Sequence, residues 1–300
     1  YIFSYTKGAN VKNWNVEKVS AVTAKIDMHL ERNSEWEQWA LLTADRHLDN
    51  PHSDRKLQKH HLKQAQDRGA FVLDFGDLFC AMQGKKDRRH TKSDLLPEHK
   101  TGHYLNALIE TASDFFQPFA DNIAIIAEGN HETGVTKHTE FSLTDALVYD
   151  LRRNGSQVVR GGYRGYIVFR FFGDGENGSR YTRTAYYHHG SGGGGAVTKG
   201  VISTNRRAVY LDTDYVFSGH IHEGWYMPIT KVKLNSKYDE VAFTQHHVQI
   251  PTYKEEFLNQ PGGFHHEKGG VPKPTGAWWM RFYYSRRTMA VETEFIPADK

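Results

Sequence analysis

Short apolar runs separated by polar, periodic stretches set the frame of this chain. Trp39-Ala40-Leu41-Leu42-Thr43-Ala44, Ala70-Phe71-Val72-Leu73-Asp74-Phe75 and Ile123-Ala124-Ile125-Ile126-Ala127 are almost wholly apolar, as strands covered on both faces are. Between them the spacing predicts helices. One is polar, capped near Ser53 and ending at Gly69; the next carries Leu105, Leu108, Ile109, Ala112 and Phe116 on one stripe and stops around Pro118. Leu143, Leu147 and Leu151 mark a third, closed by Asn154-Gly155. This alternation gives an α/β sheet with helices on it. Beyond residue 157 the period shortens to two. Segments 165–172 and 181–189 alternate and are joined by Gly173-Asp174-Gly175-Glu176-Asn177-Gly178, as in a hairpin. A helix is expected near 197–210 and strands at 214–218, 225–233, 240–249 and 278–295. Residues 1–38 read as an N-terminal extension in which Val19, Ile26 and Leu30 suggest a helix. Residues 39–300 read as one domain with a more antiparallel second half, in which 251–275 is a long surface loop.

Composition narrows the classes. The chain has 300 residues, with 38 Lys+Arg against 35 Asp+Glu, so the near balance excludes a strongly basic nucleic-acid coat. Hydrophobic content of 38% and aromatic content of 13% support a real core despite a mean hydropathy of -0.66. No apolar run is long enough to span a bilayer, and the first thirty residues lack a secretory leader pattern. The single cysteine, Cys80, excludes an internal disulfide, a CxxC pair and a cysteine-built zinc site, and in its apolar setting reads as an inert buried thiol. A cytoplasmic location is expected.

The chemistry lies just past the strand ends. The first apolar strand is followed by Asp45-Arg46-His47, the second by Gly76-Asp77, the third by Gly129-Asn130-His131-Glu132. The hairpin is followed by His188-His189-Gly190, and the strand at 214–218 by Gly219-His220-Ile221-His222. Ligands of open α/β sheets bind at the carboxyl ends of strands, so five strand ends would deliver carboxylate, amide and imidazole donors to one edge. Imidazole and carboxylate without thiolate suit borderline divalent metals. In Asp45-x-His47 and His220-x-His222 the alternation of an extended chain would turn both donors to one side and Arg46 or Ile221 away. Seven donors are too many for one open ion and suit two.

The ordered set D-x-H, G-D, G-N-H-E, H-G and G-H-x-H, covering residues 45 to 222, resembles that of the calcineurin-like metallophosphoesterases. The resemblance implies a two-sheet β-sandwich flanked by helices and two divalent metal ions. Asp45, His47 and His222 would bind one ion, Asn130, His189 and His220 the other, and Asp77 would bridge them. His131 would face the phosphate and leaving group, with Glu132 or another acid orienting it. His189, directly before glycine, is the expected ligand; His188 would point to the opposite face. Manganese is favoured, with iron, zinc and nickel also compatible with the mixed donors. Two such ions against two carboxylates and a bridging hydroxide would leave a charge of about +1, which favours an anionic substrate. The expected reaction is in-line attack of that hydroxide on phosphorus, with Asp77 and His131 as the catalytic residues and Asn130 and His131 also touching substrate.

Substrate choice falls to the rim. Gly-Asn-His-Glu is similar to the protein serine/threonine phosphatases, but their second motif continues G-D-x-V-D-R-G. This chain reads Gly76-Asp77-Leu78-Phe79-Cys80-Ala81, without the phosphate-clamping arginine. Asp45-Arg46-His47-Leu48 and Gly76-Asp77-Leu78-Phe79 are closer to DNA-repair exonuclease and bacterial or phage phosphodiesterase members. A phosphodiesterase acting on nucleic acid or a nucleotide is therefore the leading expectation, a phosphomonoesterase the runner-up, and a non-catalytic binding module on the same fold the third reading. No membrane partner is expected. Lys85, Lys86, Arg88, Arg89, His90 and Lys92 form a basic cluster after Asp77 that would rim the site, and Ser191-Gly192-Gly193-Gly194-Gly195 follows the expected ligand His189.

Overall fold

The computed structural model describes residues 12–33, 35–81, 95–173, 180–193, 195, 197–258 and 269–298. Among these residues the chain forms two sheets flanked by helices, the two-layer α/β architecture expected. One sheet has the order β13-β12-β3-β4-β5-β6, with β3 (Glu37–Thr43), β4 (Phe71–Asp74), β5 (Ile123–Ile126), β6 (Val159–Arg160), β12 (Trp278–Ser285) and β13 (Ala290–Pro297). The other has the order β1-β2-β7-β8-β9-β11-β10, with β1 (Trp14–Lys18), β2 (Thr23–His29), β7 (Arg164–Phe172), β8 (Arg180–His188), β9 (Tyr215–Ser218), β10 (Trp225–Leu234) and β11 (Glu240–Gln249).

The near-continuous apolar runs are explained by burial on both sides. Ala40, Leu42, Phe71, Leu73 and Ala124 face the second sheet and join Ile26, Phe169, Ala185 and Phe217 in the inter-sheet core. Leu41, Val72, Ile123 and Ile126 face outward and are covered by α1 (Arg55–Asp67), α2 (Tyr104–Phe116) and α4 (Leu143–Arg153). Asp54, one residue past the expected Ser53, caps α1 by accepting from Leu57 N–H at 2.9 Å. A further helix, α3 (Asn130–Thr139), begins inside the G-N-H-E motif, and α5 (Val201–Tyr210) covers part of the second sheet's outer face. No helix among the described residues is long and apolar enough to cross a membrane.

Three expectations need correction. Residues 14–29 are no helical extension: they form β1 and β2, and β2 pairs in parallel with β7. The decisive signal is period two, since Ala24, Ile26 and Met28 are buried while Lys25 and Asp27 face out. Trp14, Val16 and Ile26 belong to the inter-sheet core, so a boundary at residue 38 does not separate them from it. The segment 251–275 is not a surface loop at its start. Thr252 and Tyr253 are fully buried, Tyr253 N–H and Thr252 Oγ1 both donate to Asp45 O (3.1 and 2.8 Å), and Thr252 bridges to Thr275. The region 278–295, expected as strand, is the β12–β13 hairpin. The basic cluster from Lys85 to Lys92 lies outside the described residues, as does Gly194 of the glycine run.

Candidate metal centre

β3, β4, β5, β8 and β9 end at one edge of the sandwich, and the residues after them converge there. Asp45, His47 and His222 place one donor atom each within 4.8 Å of one another, and so do Asp77, His189 and His220. The two groups adjoin: His189 Nε2 is 3.0 Å from Asp77 Oδ2 and 4.0 Å from Asp45 Oδ1. His222 Nε2 is 3.4 Å from Asp45 Oδ1 and 3.3 Å from His47 Nε2. Asn130 opens α3 beside them. Of the adjacent pair, His189 enters the cluster. His188 turns to the opposite face, where its ring stacks on Tyr186, and burial together with nearby Arg207 pushes it down to about 4.

The backbone does not deliver these donors as extended strand. Asp45, His47, Asp77, His220 and His222 all have positive φ, at 50°, 45°, 51°, 73° and 55°. Both members of each i, i+2 pair reach the cluster from left-handed turns rather than by strand alternation. Asp and His are among the non-glycine residues that tolerate this region best, at a cost of about 1 kcal/mol each. Together that is roughly 5 kcal/mol, a large share of a domain's net stability, so contacts made at the site must offset it. Glycine is required where loops touch: a Cβ on Gly129 would lie 2.0 Å from Asp77 Oδ1, and one on Gly219 would lie 2.7 Å from Asp45 Oδ2.

Three of the candidate donors, Asp45, Asp77 and His189, are aimed by a partner behind them. Asp45 Oδ2 accepts from His220 N–H at 2.7 Å, leaving Oδ1 buried, without a partner and facing the cluster. Asp77 Oδ1 accepts from His131 N–H at 3.0 Å, leaving Oδ2 toward His189. His189 Nδ1 donates to Phe75 O at 2.9 Å, so in the neutral ring the lone pair is on Nε2, which is buried and has no hydrogen-bond partner of acceptable geometry. Asn130 Oδ1 is likewise buried and unsatisfied. Such orphaned acceptors are costly unless something cationic meets them. Donors at 2.0–2.2 Å from one tetrahedral ion lie about 3.3–3.6 Å apart, and the spacings of His222 Nε2 from His47 Nε2 (3.3 Å) and from Asp45 Oδ1 (3.4 Å) agree with that.

Electrostatics point the same way. Burial, then the His131 and His222 rings, holds His47 well below its usual range, so it is a neutral imidazole. Burial also lowers His189, but the Asp77 and Asp45 carboxylates outweigh it and raise that ring to about 10, so with no other cation present Nε2 takes a proton where a metal ion would otherwise sit. Burial disfavours the Asp77 charge too, yet His189 and His131 keep its carboxyl far below the ordinary range. The pocket therefore holds a strong negative potential that demands positive charge at the point where the orphaned atoms meet. Together, these side chains fit two divalent cations with nitrogen and oxygen donors. Cys80 lies within reach of His47 and His131, and burial and Asp49 push its thiol up to about 12.

The sequence picks out the side chains that come together here but not what supports them. His131 is oriented by a backbone carbonyl, its Nδ1 facing Cys80 O, and not by Glu132. Glu132 is buried and accepts three backbone N–H groups: Gly129 at 2.7 Å, Asp77 at 3.1 Å and Phe79 at 2.9 Å. It ties the second and third motif loops together. Asp49 does the same for the chain beyond, accepting from the N–H groups of Cys80 and Ala81. Nothing in the sequence marks Asp49, whereas Glu132 was visible with the wrong role. Burial and the Asp77 charge raise Glu132 to about 8, so the three donors are what favours its carboxylate. Glu132→Gln turns an NH₂ toward N–H groups and should cost about 2–3 kcal/mol in urea denaturation. An unchanged midpoint would mean that those N–H groups find other acceptors.

No family model and no curated protein matches the sequence. Solved structures do align. A metallophosphoesterase from Sphaerobacter thermophilus is 14% identical over 87% of this chain and 89% of its own, with a TM-score of 0.34. A Thermotoga maritima protein solved by NMR is 10% identical over 87% of this chain and 99% of its own, with a TM-score of 0.32. GAP50 of Plasmodium, described as the anchor in the inner membrane complex, is 8% identical over 87% and 84%, with a TM-score of 0.38. Alignments this loose lend no chemistry to the chain, and what the site can do has to come from its own side chains.

Proposed function

We propose that this protein is a metal-dependent phosphoester hydrolase, and specifically a phosphodiesterase whose substrate is a nucleic acid or nucleotide. The observation that supports it is the convergence of Asp45, His47 and His222 and of Asp77, His189 and His220 in two adjoining groups, with Asn130 opening α3 beside them and with Asp45 Oδ1, His189 Nε2 and Asn130 Oδ1 buried and unpartnered. Asp45, His47 and His222 hold one divalent ion; Asn130, His189 and His220 hold the second; Asp77 reaches both. Manganese is the favoured metal, with iron, zinc and nickel as alternatives. When bound, such a pair supplies Lewis-acid charge to a phosphoryl group and lowers the pKa of water.

The protein's own residues do the rest. His131 is 3.8 Å from Asp77 Oδ2 through Nε2, while its Nδ1 faces Cys80 O. The carbonyl fixes Nδ1 as a donor, so Nε2 is the nitrogen that faces the centre, and it is as the imidazolium, protonated on both nitrogens, that the ring gives its Nε2 proton to a departing oxygen and returns to the Nδ1–H tautomer. Asn130 and His131 together line the approach to the centre at the start of α3, where N–H groups favour an anion.

The test is a substrate comparison. Protein freed of metal with a chelator should lose hydrolysis of bis(p-nitrophenyl) phosphate and regain it with Mn²⁺, with the diester turned over faster than p-nitrophenyl phosphate. Monoester turnover without diester turnover would replace this reading by a phosphomonoesterase. Full activity in chelator, after exhaustive metal removal, would end both.

A further inference from the structure

The second sheet carries a polar row one residue short of the metal donors. Strand register sets Arg164 opposite His188, His188 opposite Ser218, and Ser218 opposite Gln249. The next residues along the chain are His189 on one strand and Gly219-His220 on another, so the row runs directly behind the candidate centre. It lies on the outer face. Ile167, Ala185, Tyr187 and Phe217 point into the inter-sheet core, whereas Tyr186 and Val216 pack outward under α5. From α5, Arg207 reaches this row and donates through Nη1 to Ser218 Oγ.

Arg207 is only partly exposed, and among the described residues its hydrogen-bond partner is that neutral hydroxyl. No carboxylate among the described residues lies within ion-pair distance of Arg207 or of the exposed Arg164. A hydroxyl does not compensate a guanidinium drawn out of water, so a positive charge is left without its counterpart. Packing of the arginine stem explains the position of α5 but not the uncompensated head. His188 adds a third donor. Its Nδ1 accepts the Gly190 N–H at 3.0 Å, so the neutral ring carries its proton on Nε2, which has no partner among the described residues. Adjacent strands are about 4.8 Å apart, so Arg164 and the Ser218-bound Arg207 flank His188 at roughly one strand spacing on either side. Two permanent cations and a neutral N–H donor at neighbouring positions on one sheet face match a tetrahedral oxyanion.

We infer that Arg164, His188 and Arg207 bind a second phosphate of the substrate, the one flanking the scissile diester in a nucleotide chain. The inference rests on the phosphodiesterase reading and adds to it a preference for substrates that carry more than one phosphate. A single strand rounding the sheet edge places one phosphate at the metal donors and its neighbour on this row. Single phosphodiesters lacking that neighbour forgo the contact.

The test uses the full chain and a fluorescein-labelled DNA oligonucleotide of about eight nucleotides, followed by anisotropy in chelator across a salt series. Arg164→Gln and Arg207→Gln should each weaken binding about tenfold and lower the log–log salt slope by about one. Arg207→Lys, which keeps the charge, should keep the slope. In hydrolysis, the ratio of kcat/KM for the oligonucleotide to that for bis(p-nitrophenyl) phosphate should fall about tenfold in the Gln variants. Arg164 is exposed, so a folding defect does not confuse its result. Unchanged affinity and salt slope in Arg164→Gln overturn the second site. Failure of the phosphodiesterase reading is separate: it shows as absent metal-dependent diester hydrolysis in the unaltered protein, and the binding arm still decides the row.

Discussion

Asp77→Asn should lower diester hydrolysis by about three orders of magnitude and reduce bound metal from two ions per chain to one or none. Asp77 has no freedom to adapt. Oδ1 is taken by His131 N–H at 3.0 Å, and Oδ2 lies 3.0 Å from His189 Nε2. An asparagine must turn its NH₂ either toward the His131 N–H, donor against donor, or toward the cluster, where positive charge belongs. The first choice unseats α3 and with it His131; the second takes a carboxylate oxygen away from the group it forms with His189 and His220, and with it the proposed bridge. Backbone packing closes the remaining escape, since Gly129 sits against this carboxylate. Metal content by elemental analysis and turnover of bis(p-nitrophenyl) phosphate check the two effects independently. A variant that keeps both would strip Asp77 of the bridging role.

The candidate donors of this site were legible because their chemistry is local. Each is a polar residue breaking an apolar run, and a short buried strand can only end at an edge. What joined them was the reading of the runs as neighbouring strands, which the register of β3, β4 and β5 bears out. The left-handed turns were not legible, because Asp and His adopt either backbone region and only the loops that meet them decide. For the same reason Glu132 was misread: its three backbone partners lie in two loops more than fifty residues apart in part. Long-range hydrogen bonds to main chain leave no spacing to find. The β1–β2 hairpin was hidden differently. Its sequence fits a weak helical period through Val19, Ile26 and Leu30, but Val19 is exposed, and the strand period through Ala24, Ile26 and Met28 wins because β7 offers an edge to pair with.

Arg46 shows how the same motif also carries the fold, and its loss should be the largest stability effect in the molecule. The side chain between Asp45 and His47 turns away from the donors, as expected, into a fully buried pair. Nε donates to Asp74 Oδ2 at 2.6 Å, Nη1 to Gln58 Oε1 at 3.1 Å and Nη2 to Thr43 Oγ1 at 3.1 Å, between the rings of Phe116 and Tyr253. Burial raises the Asp74 pKa even with Arg46 beside it, so the carboxylate depends on that guanidinium. Arg46→Met should cost about 3–5 kcal/mol at neutral pH, because it leaves a buried charge alone rather than because the pair itself is worth that much. Two measurements separate these. The double variant Arg46→Met with Asp74→Asn should recover a substantial part of the loss, since no lone charge remains. The pH dependence has a definite sign. Without Arg46 the folded-state pKa of Asp74 rises further above its unfolded value, so the folded chain binds the extra proton. The deficit of the single variant relative to the unaltered protein should then shrink as pH falls from 7 toward about 4. A deficit constant across that range, undiminished in the double variant, would mean that the methionine fails by packing and not by charge.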